Sequence, residues 1–423
     1  MNYSDLSVTE LRRDLHRHPE TGWTEFRTTA IVASILDDLG FTLHLGAEAV
    51  DEDGRLGVPS NDDIELARRR AREEGAPEEY LDRMGTVTGL VAVKRYGDGP
   101  TVGVRIDMDA LKVTESTEDA HLPAREGFAS RHEGRMHACG HDGHTAIGVG
   151  VARAVDESDF DGTLKLFFQP AEEGGRGGKP MSETAHLDDV DAFVAVHLGL
   201  GKETGTIIAG RERPLPNTKY DVVFTGEASH AGHAPNEGRN ALQAMATAIG
   251  NLYAIPRHGD GATRINVGEV SSPNQQNVIA DRAEMRVELR GATPELDAYM
   301  CEHTVRMVDA AADMHDVEVS RSLYGQTTTF VPDDEMVELV AGVAEELPSV
   351  EHVIPRERIG GSEDASFLVK RVQETGGVAT YVGIGASNPS GHHTPRFDVD
   401  EAALDIGVDV VTETIRRVGS QVD

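Results

Sequence analysis

Residues 136–145, MHACGHDGHT, concentrate the side chains that bind transition metals. Cys139 and His141 stand two apart, a spacing that on extended backbone aims both side chains to one side. A soft thiolate and an imidazole converging there can hold Zn, Mn, Co or Ni, which ligand type alone separates poorly. Asp142 and His144 are candidates to orient the ligands, since a ligating histidine usually hands its other N–H to a carboxylate or carbonyl. Gly140 and Gly143 let the backbone bend around an ion. The competing reading, a histidine-rich loop that binds nothing, has to be weighed against three later stretches.

The first is FFQPAEE, residues 167–173, where an apolar run ends in the adjacent carboxylates Glu172 and Glu173. Neighbouring side chains diverge, so one can ligate while the other faces water. That division suits hydrolysis, in which a metal lowers the pKa of water to about 7 and a carboxylate moves its proton. A solvated acidic pair is the plain alternative. The second is His197, at the end of the apolar run in AVHLG; a lone histidine there is more often structural than ligating. The third is His393 in GHHTP. Cys139, His141, a glutamate, His197 and His393 are together enough for a two-metal site.

The elements that must position these groups are β-like runs at 90–94, 101–106, 163–168, 191–196 and 379–384, with helical patterns between several of them. This alternation predicts an α/β catalytic domain with a central, mostly parallel sheet flanked by helices. Each chemical cluster follows one of these runs or starts the helix beyond, and open α/β sheets bind ligands at the carboxyl ends of their strands. Between 217 and 325 the rhythm becomes β-α-β-β-α-β, the split ferredoxin-like α+β unit. The expected organisation is therefore a discontinuous metal-binding domain, 1–215 and 326–423, with 216–325 inserted. Helices are expected over 7–18, capped by Ser7 or Thr9, and over 25–39. A charged insertion at about 46–86, with a helix over 62–74, reads as a solvated surface arm.

The chain has 423 residues, 39% hydrophobic and 27% charged, with 73 acidic against 40 basic residues and a formal net charge of −33. Such a surface repels nucleic acid and anionic membranes, so both are excluded as expected partners. No apolar run approaches the ~20 residues of a membrane span, and the first residues lack the apolar core of a signal peptide. Two cysteines, Cys139 and Cys301, cannot build a disulfide framework. The expectation is a reduced, cytoplasmic protein. The dispersed acids and rare lysines fit a protein working in high salt, where repulsion is screened. The glycine-rich segment 174–179 is not a phosphate loop: that pattern needs Gly where Glu173 stands, and Ser or Thr where Pro180 stands.

The motifs MHACGHDGHT, FQPAEEGGRGG, AVHLG, ASHAG, NVIADRAEMRVELRG, GGSEDASF and GHHTPRFDVDE resemble those of the dinuclear amidohydrolases related to aminoacylase, indole-acetyl-amino-acid hydrolases and glutamate carboxypeptidase. The likeness covers nearly the whole chain, including RRDLHRHPETGWTEFRT and the charged insertion. It implies two divalent metal ions, Mn or Zn, held by Cys139, His141, Glu173, His197 and His393, with Glu172 as general acid/base. It also implies that His230 steadies the oxyanion, often across a dimer interface, and that Asn277 and Arg290 hold a substrate carboxylate. Where other relatives carry a His-x-Asp motif, Arg105 replaces the histidine, as in the branch that uses a cysteine ligand. Glu363 and Asp364 lie near the expected pocket without an assigned role. The implied activity is hydrolysis of an amide to an amino acid, foremost p-aminobenzoyl-glutamate or a related N-acyl or aroyl glutamate. The implied assembly is a homodimer or a heteromer with a B-type subunit. The alternatives are a general N-acyl-amino-acid hydrolase and a non-catalytic binding protein on the same scaffold; the intact Glu172 argues against the latter.

Overall fold

The computed structural model describes residues 3–420. Its strands are β1 (Thr42–Leu45), β2 (Leu90–Arg95), β3 (Thr101–Asp107), β4 (Thr163–Gln169), β5 (Ala192–Gly199), β6 (Thr206–Glu212), β7 (Asn217–Thr225), β8 (Thr263–Ser271), β9 (Arg282–Gly291), β10 (Glu318–Thr327), β11 (His352–Arg358) and β12 (Val378–Gly385). The chain divides into two compact units. One takes the chain up to Arg213, then Phe330–Ile359 and Asp364 onward; the other takes Pro214–Thr329 and Gly360–Glu363.

The larger unit is built on an eight-stranded sheet of order β1-β2-β4-β3-β5-β12-β6-β11. Its centre, β4-β3-β5-β12, is parallel throughout, while β1, β2 and β6 enter antiparallel to a neighbour. The expected α/β architecture is thus present as a mixed sheet with a parallel core. Strand β5, AFVAVHLG, is buried along its whole length, because helices cover both faces of such a sheet. Successive side chains face opposite layers. Val194, Val196 and Leu198 join the core formed with helices Phe26–Asp38, His141–Asp156 and Ala402–Ser420, whereas Phe193 and Ala195 join that of Ala365–Thr375. The first long helix, Val8–Arg17, starts at Ser7, whose side chain and that of Glu10 close a reciprocal capping box.

The charged insertion is not a solvated arm. Its helix Asn61–Glu73, capped by Ser60, and a second helix, Glu78–Met84, bury Ile64, Ala67, Ala71, Tyr80, Leu81 and Met84 in the main core. Apolar residues three and four apart make an inward stripe on an otherwise charged helix, and the density of charge concealed it.

The smaller unit is an antiparallel sheet of order β10-β7-β9-β8 with helices Ala241–Leu252 and Pro294–Met314. Inward residues of β9, including Ala283, Met285, Val287 and Leu289, pack with both helices in a separate core. Among the described residues no helix is long and apolar enough to cross a membrane.

Candidate active site

Gly140 caps the helix His141–Asp156 from the left-handed region, at φ +88°. Cys139 therefore precedes the helix and His141 is its first residue. The two converge through a turn rather than along the extended backbone that their spacing first indicates. Gly143 serves packing instead of bending around an ion: a Cβ there would come within 2.5 Å of Leu198 Cδ1. Its absence lets the helix press against β5, which carries His197. The His197 Nε2 lies 3.6 Å from the Cys139 Sγ, and its Nδ1 is 2.8 Å from the Leu198 carbonyl oxygen. Donation from Nδ1 to that carbonyl leaves the Nε2 lone pair facing the thiol.

Beyond β4 the chain turns at Ala171, which has φ +51°, and presents Glu172 and Glu173. The loop after β12 brings His393, whose backbone N–H donates to the Ala138 carbonyl at 2.7 Å. Its Nε2 stands 3.5 Å from Glu173 Oε1. Ligand atoms of Cys139, His141 and His197 all lie within 4.8 Å of one another, as do those of Cys139, Glu173 and His393. The cysteine belongs to both sets. His141 also gathers with Glu172 and Glu173, and its Nε2 is 4.0 Å from Glu172 Oε2.

The electrostatics of this cluster fit a cation. Burial and the neighbouring Glu173 push the Cys139 thiol up. Burial works against charge on His141, yet Asp107 and Cys139 hold it well above the ordinary histidine range. Burial, reinforced by His144, keeps His197 neutral, well below that range; burial and His141 lower His393 in the same direction. Both ring nitrogens of the fully buried His141 lack a hydrogen bond. The neutral imidazoles of His197 and His393, together with His141, a shared thiol and two carboxylates, form a donor set suited to divalent transition metals, whose charge would stabilise the thiolate.

His144 is not part of that donor set. Its Nδ1 lies 2.5 Å from Asp107 Oδ1, and its Nε2 accepts the Leu198 N–H at 2.8 Å, so both nitrogens are engaged. Asp142 accepts from Arg12 Nε at 2.9 Å and pairs with His16 Nδ1 at 2.8 Å, tying the helix Val8–Arg17 to the cysteine loop. Arg105 is buried and donates to Gln169 at 2.8 Å, to Asp107 at 2.5 Å and to Asp364 at 3.2 Å. Asp364 in turn accepts the N–H groups of Gly177 and Gly178, at 3.2 and 2.7 Å. The role of Asp364 is not legible in the sequence, because the acidic pair Glu363-Asp364 beside two glycines carries no periodic signal.

In the smaller unit, His230 and Asn277 lie on neighbouring loops, where the Ala231 N–H donates to the Asn277 carbonyl at 2.9 Å. The His230 Nδ1 accepts the N–H groups of Gly232 and His233, each at 3.1 Å. That pattern places the proton of the neutral ring on Nε2. Arg290 sits elsewhere: it pairs with Glu288 and lies opposite Asn217, at the far end of β9 from Arg282. Those eight strand steps span roughly 25 Å. The unit thus brings His230 and Asn277 together and keeps Arg290 apart from them.

A thiol shared by two candidate sets of ligand atoms, one of them fully buried, beside adjacent glutamates at the carboxyl edge of parallel strands, defines a metal-dependent amidohydrolase. Residues 103–417 match the model of peptidase family M20/M25/M40, and the chain belongs to that family. It is 43% identical over 412 residues to an indole-3-acetyl-aspartic acid hydrolase of Enterobacter agglomerans, covering 96% of this chain and 94% of the relative. It is 42% identical to the A-type subunit of p-aminobenzoyl-glutamate hydrolase from Escherichia coli K12, with the same coverage. The crystal structure of an aminobenzoyl-glutamate utilization protein from Klebsiella pneumoniae superposes with a TM-score of 0.83 at 36% identity, over 97% of this chain and 95% of that one.

Proposed function

We propose that the chain hydrolyses the amide bond between an aromatic acyl group and an acidic amino acid, with p-aminobenzoyl-glutamate as the foremost substrate. The observation that carries the reading is Cys139 standing in two ligand sets at once, with Glu172 beside them. Cys139, His141 and His197 would hold one divalent metal, Mn or Zn, and Cys139, Glu173 and His393 the other. Metals held there supply Lewis acidity toward the amide carbonyl and acidify water. Glu172 takes the proton from the attacking water and delivers it to the leaving amine nitrogen. His230, with its proton on Nε2, donates to the developing oxyanion. Arg290 offers a planar fork to a substrate carboxylate, and Asn277 adds an amide beside His230. The distance between Arg290 and the His230–Asn277 pair favours delivery by two copies of the chain, which would make the working form at least a dimer. A partner of the B type is the alternative assembly, since the Escherichia coli relative is named as one subunit of its hydrolase. A cytoplasmic setting in high salt accords with two unpaired cysteines and a net charge of −33.

The names of two relatives support the substrate class, because both join an aromatic acyl group to an acidic amino acid. A second reading, general hydrolysis of N-acyl amino acids, draws on a relative at 27% identity named N-acetylcysteine deacetylase, from Bacillus subtilis. The test is a hydrolysis screen of p-aminobenzoyl-glutamate, indole-3-acetyl-aspartate, folates and N-acetyl amino acids, with added Mn, Zn or Co, in high salt. Turnover confined to N-acetyl amino acids would replace the first reading with the second.

A further inference from the structure

The turn that presents Glu172 and Glu173 is held by two buried carboxyl groups. Glu25 is fully buried; one oxygen accepts the Ala171 N–H at 2.8 Å and the other the Thr88 hydroxyl at 2.7 Å. Asp109 is 1% exposed and uses both oxygens on the next two residues. Its Oδ1 accepts the Glu172 N–H at 2.9 Å and its Oδ2 the Glu173 N–H at 3.1 Å. The same Oδ1 stands 3.4 Å from Nδ1 of His141. The opposite ring nitrogen of His141, Nε2, faces Asp107 and Glu172, at 3.8 and 4.0 Å.

We propose that Asp109 is a positioning residue that registers the two halves of the site. One carboxylate fixes the backbone of the glutamate pair and selects the His141 tautomer with its proton on Nδ1 and its Nε2 lone pair aimed at the metal cluster. This rests on the metal-site reading above. A carboxylate suits the position because two backbone N–H groups bond to it and the His141 Nδ1 stands 3.4 Å from the same Oδ1, where a charged acceptor favours a proton on that nitrogen. An asparagine keeps the volume but offers one oxygen, and sets an NH₂ against at least one of the donors. Glu25 extends the same support to Ala171, whose positive φ is strained for a residue with a Cβ.

The test uses the full-length protein stripped of metal. Co²⁺ is titrated into wild type, Asp109→Asn, His141→Ala and the double variant, following the visible d–d absorption, with thermal melting as the check on folding. The expected result is a 10- to 100-fold weaker Co²⁺ affinity for Asp109→Asn, the usual cost of losing a partner that orients a ligand. In the His141→Ala background the Asp109 change should cost less than it does in the wild type, because part of its effect runs through that ring. With Co²⁺ saturating, kcat on p-aminobenzoyl-glutamate should remain at least tenfold down while KM moves less than threefold. Wild-type affinity, spectrum and kcat in folded Asp109→Asn would overturn the proposal, as would fully additive affinity losses. Should Asp109→Asn not fold, the wild type decides: in zinc-loaded, ¹⁵N-histidine-labelled protein, His141 must carry its proton on Nδ1, and a proton on Nε2 overturns the inference. A wild type that binds no Co²⁺ would overturn the metal reading itself, an outcome separate from the others.

Discussion

Glu172 and Glu173 are neighbours in the chain but have different proposed duties, and substitution separates them. Glu172→Ala should keep its metal content and lose about 10²- to 10⁴-fold in kcat, the range for a general acid–base group. Metal analysis of the dialysed variant checks this; loss of metal would mean the two glutamates exchange roles. Cys139→Ser should weaken metal binding in both ligand sets, since an alcohol is a poorer ligand than a thiolate. Unchanged stoichiometry and rate after dialysis would remove Cys139 from the donor set. Cys301, half-buried in the helix Pro294–Met314 of the other unit, provides the contrast; Cys301→Ser should leave metal content at the wild-type level.

At the scale of elements, the helix Val8–Arg17 is clamped to the cysteine loop through His16. Burial opposes charge on this ring, but Asp142 and Glu115 raise it to about 9. A histidine raised above its unfolded value near 6.5 contributes stability that is fully present below that pH and is lost as pH rises through about 9. The contribution is on the order of 3 kcal/mol. Melting curves of wild type and His16→Gln should therefore differ most near pH 6 and converge above pH 9; a constant gap would show that the ring acts by packing alone. In the smaller unit, β9 keeps Arg290 away from His230 and Asn277. If two copies complete each site, co-refolding inactive His230→Ala with inactive Arg290→Ala should restore activity that neither variant has alone. No recovery in a mixture shown to form hybrid oligomers would place all three groups in one copy.

For the molecule as a whole, a net charge of −33 must repel itself when unscreened. The Debye length falls from about 10 Å at 0.1 M salt to about 3 Å at 1 M. The melting temperature should therefore climb with KCl up to molar levels. A flat or falling curve over that range would undo the high-salt reading. Paired surface charges, such as Arg417 with Glu346 and Arg416 with Asp159, work against this trend, because salt weakens attraction as well as repulsion. The large excess of acids makes repulsion the larger effect.

The sequence by itself determined the parallel centre of the sheet and the principal candidate ligands. Buried strands such as AFVAVHLG read as continuous apolar runs, and metal-binding residue types at their ends stand out against them. It also determined a helix starting near Ser7 or Thr9, between which the structure selects Ser7, and the β-α-β-β-α-β rhythm of residues 217–325, since caps and periodicity are local properties. Strand β11, HVIPRER, escaped because an edge strand need bury little and carries no apolar run. The insertion's inner stripe escaped because three apolar positions are outvoted by the charges around them. Only the tertiary structure brought one cysteine into two candidate ligand sets, made Gly143 a packing contact, and set Asp109 on the backbone N–H groups of both glutamates. The physical reason is the same in each case. A backbone N–H that needs a buried acceptor, or a helix that must approach a strand, makes its demand across space on residues far apart in the chain, and no spacing along the sequence records it.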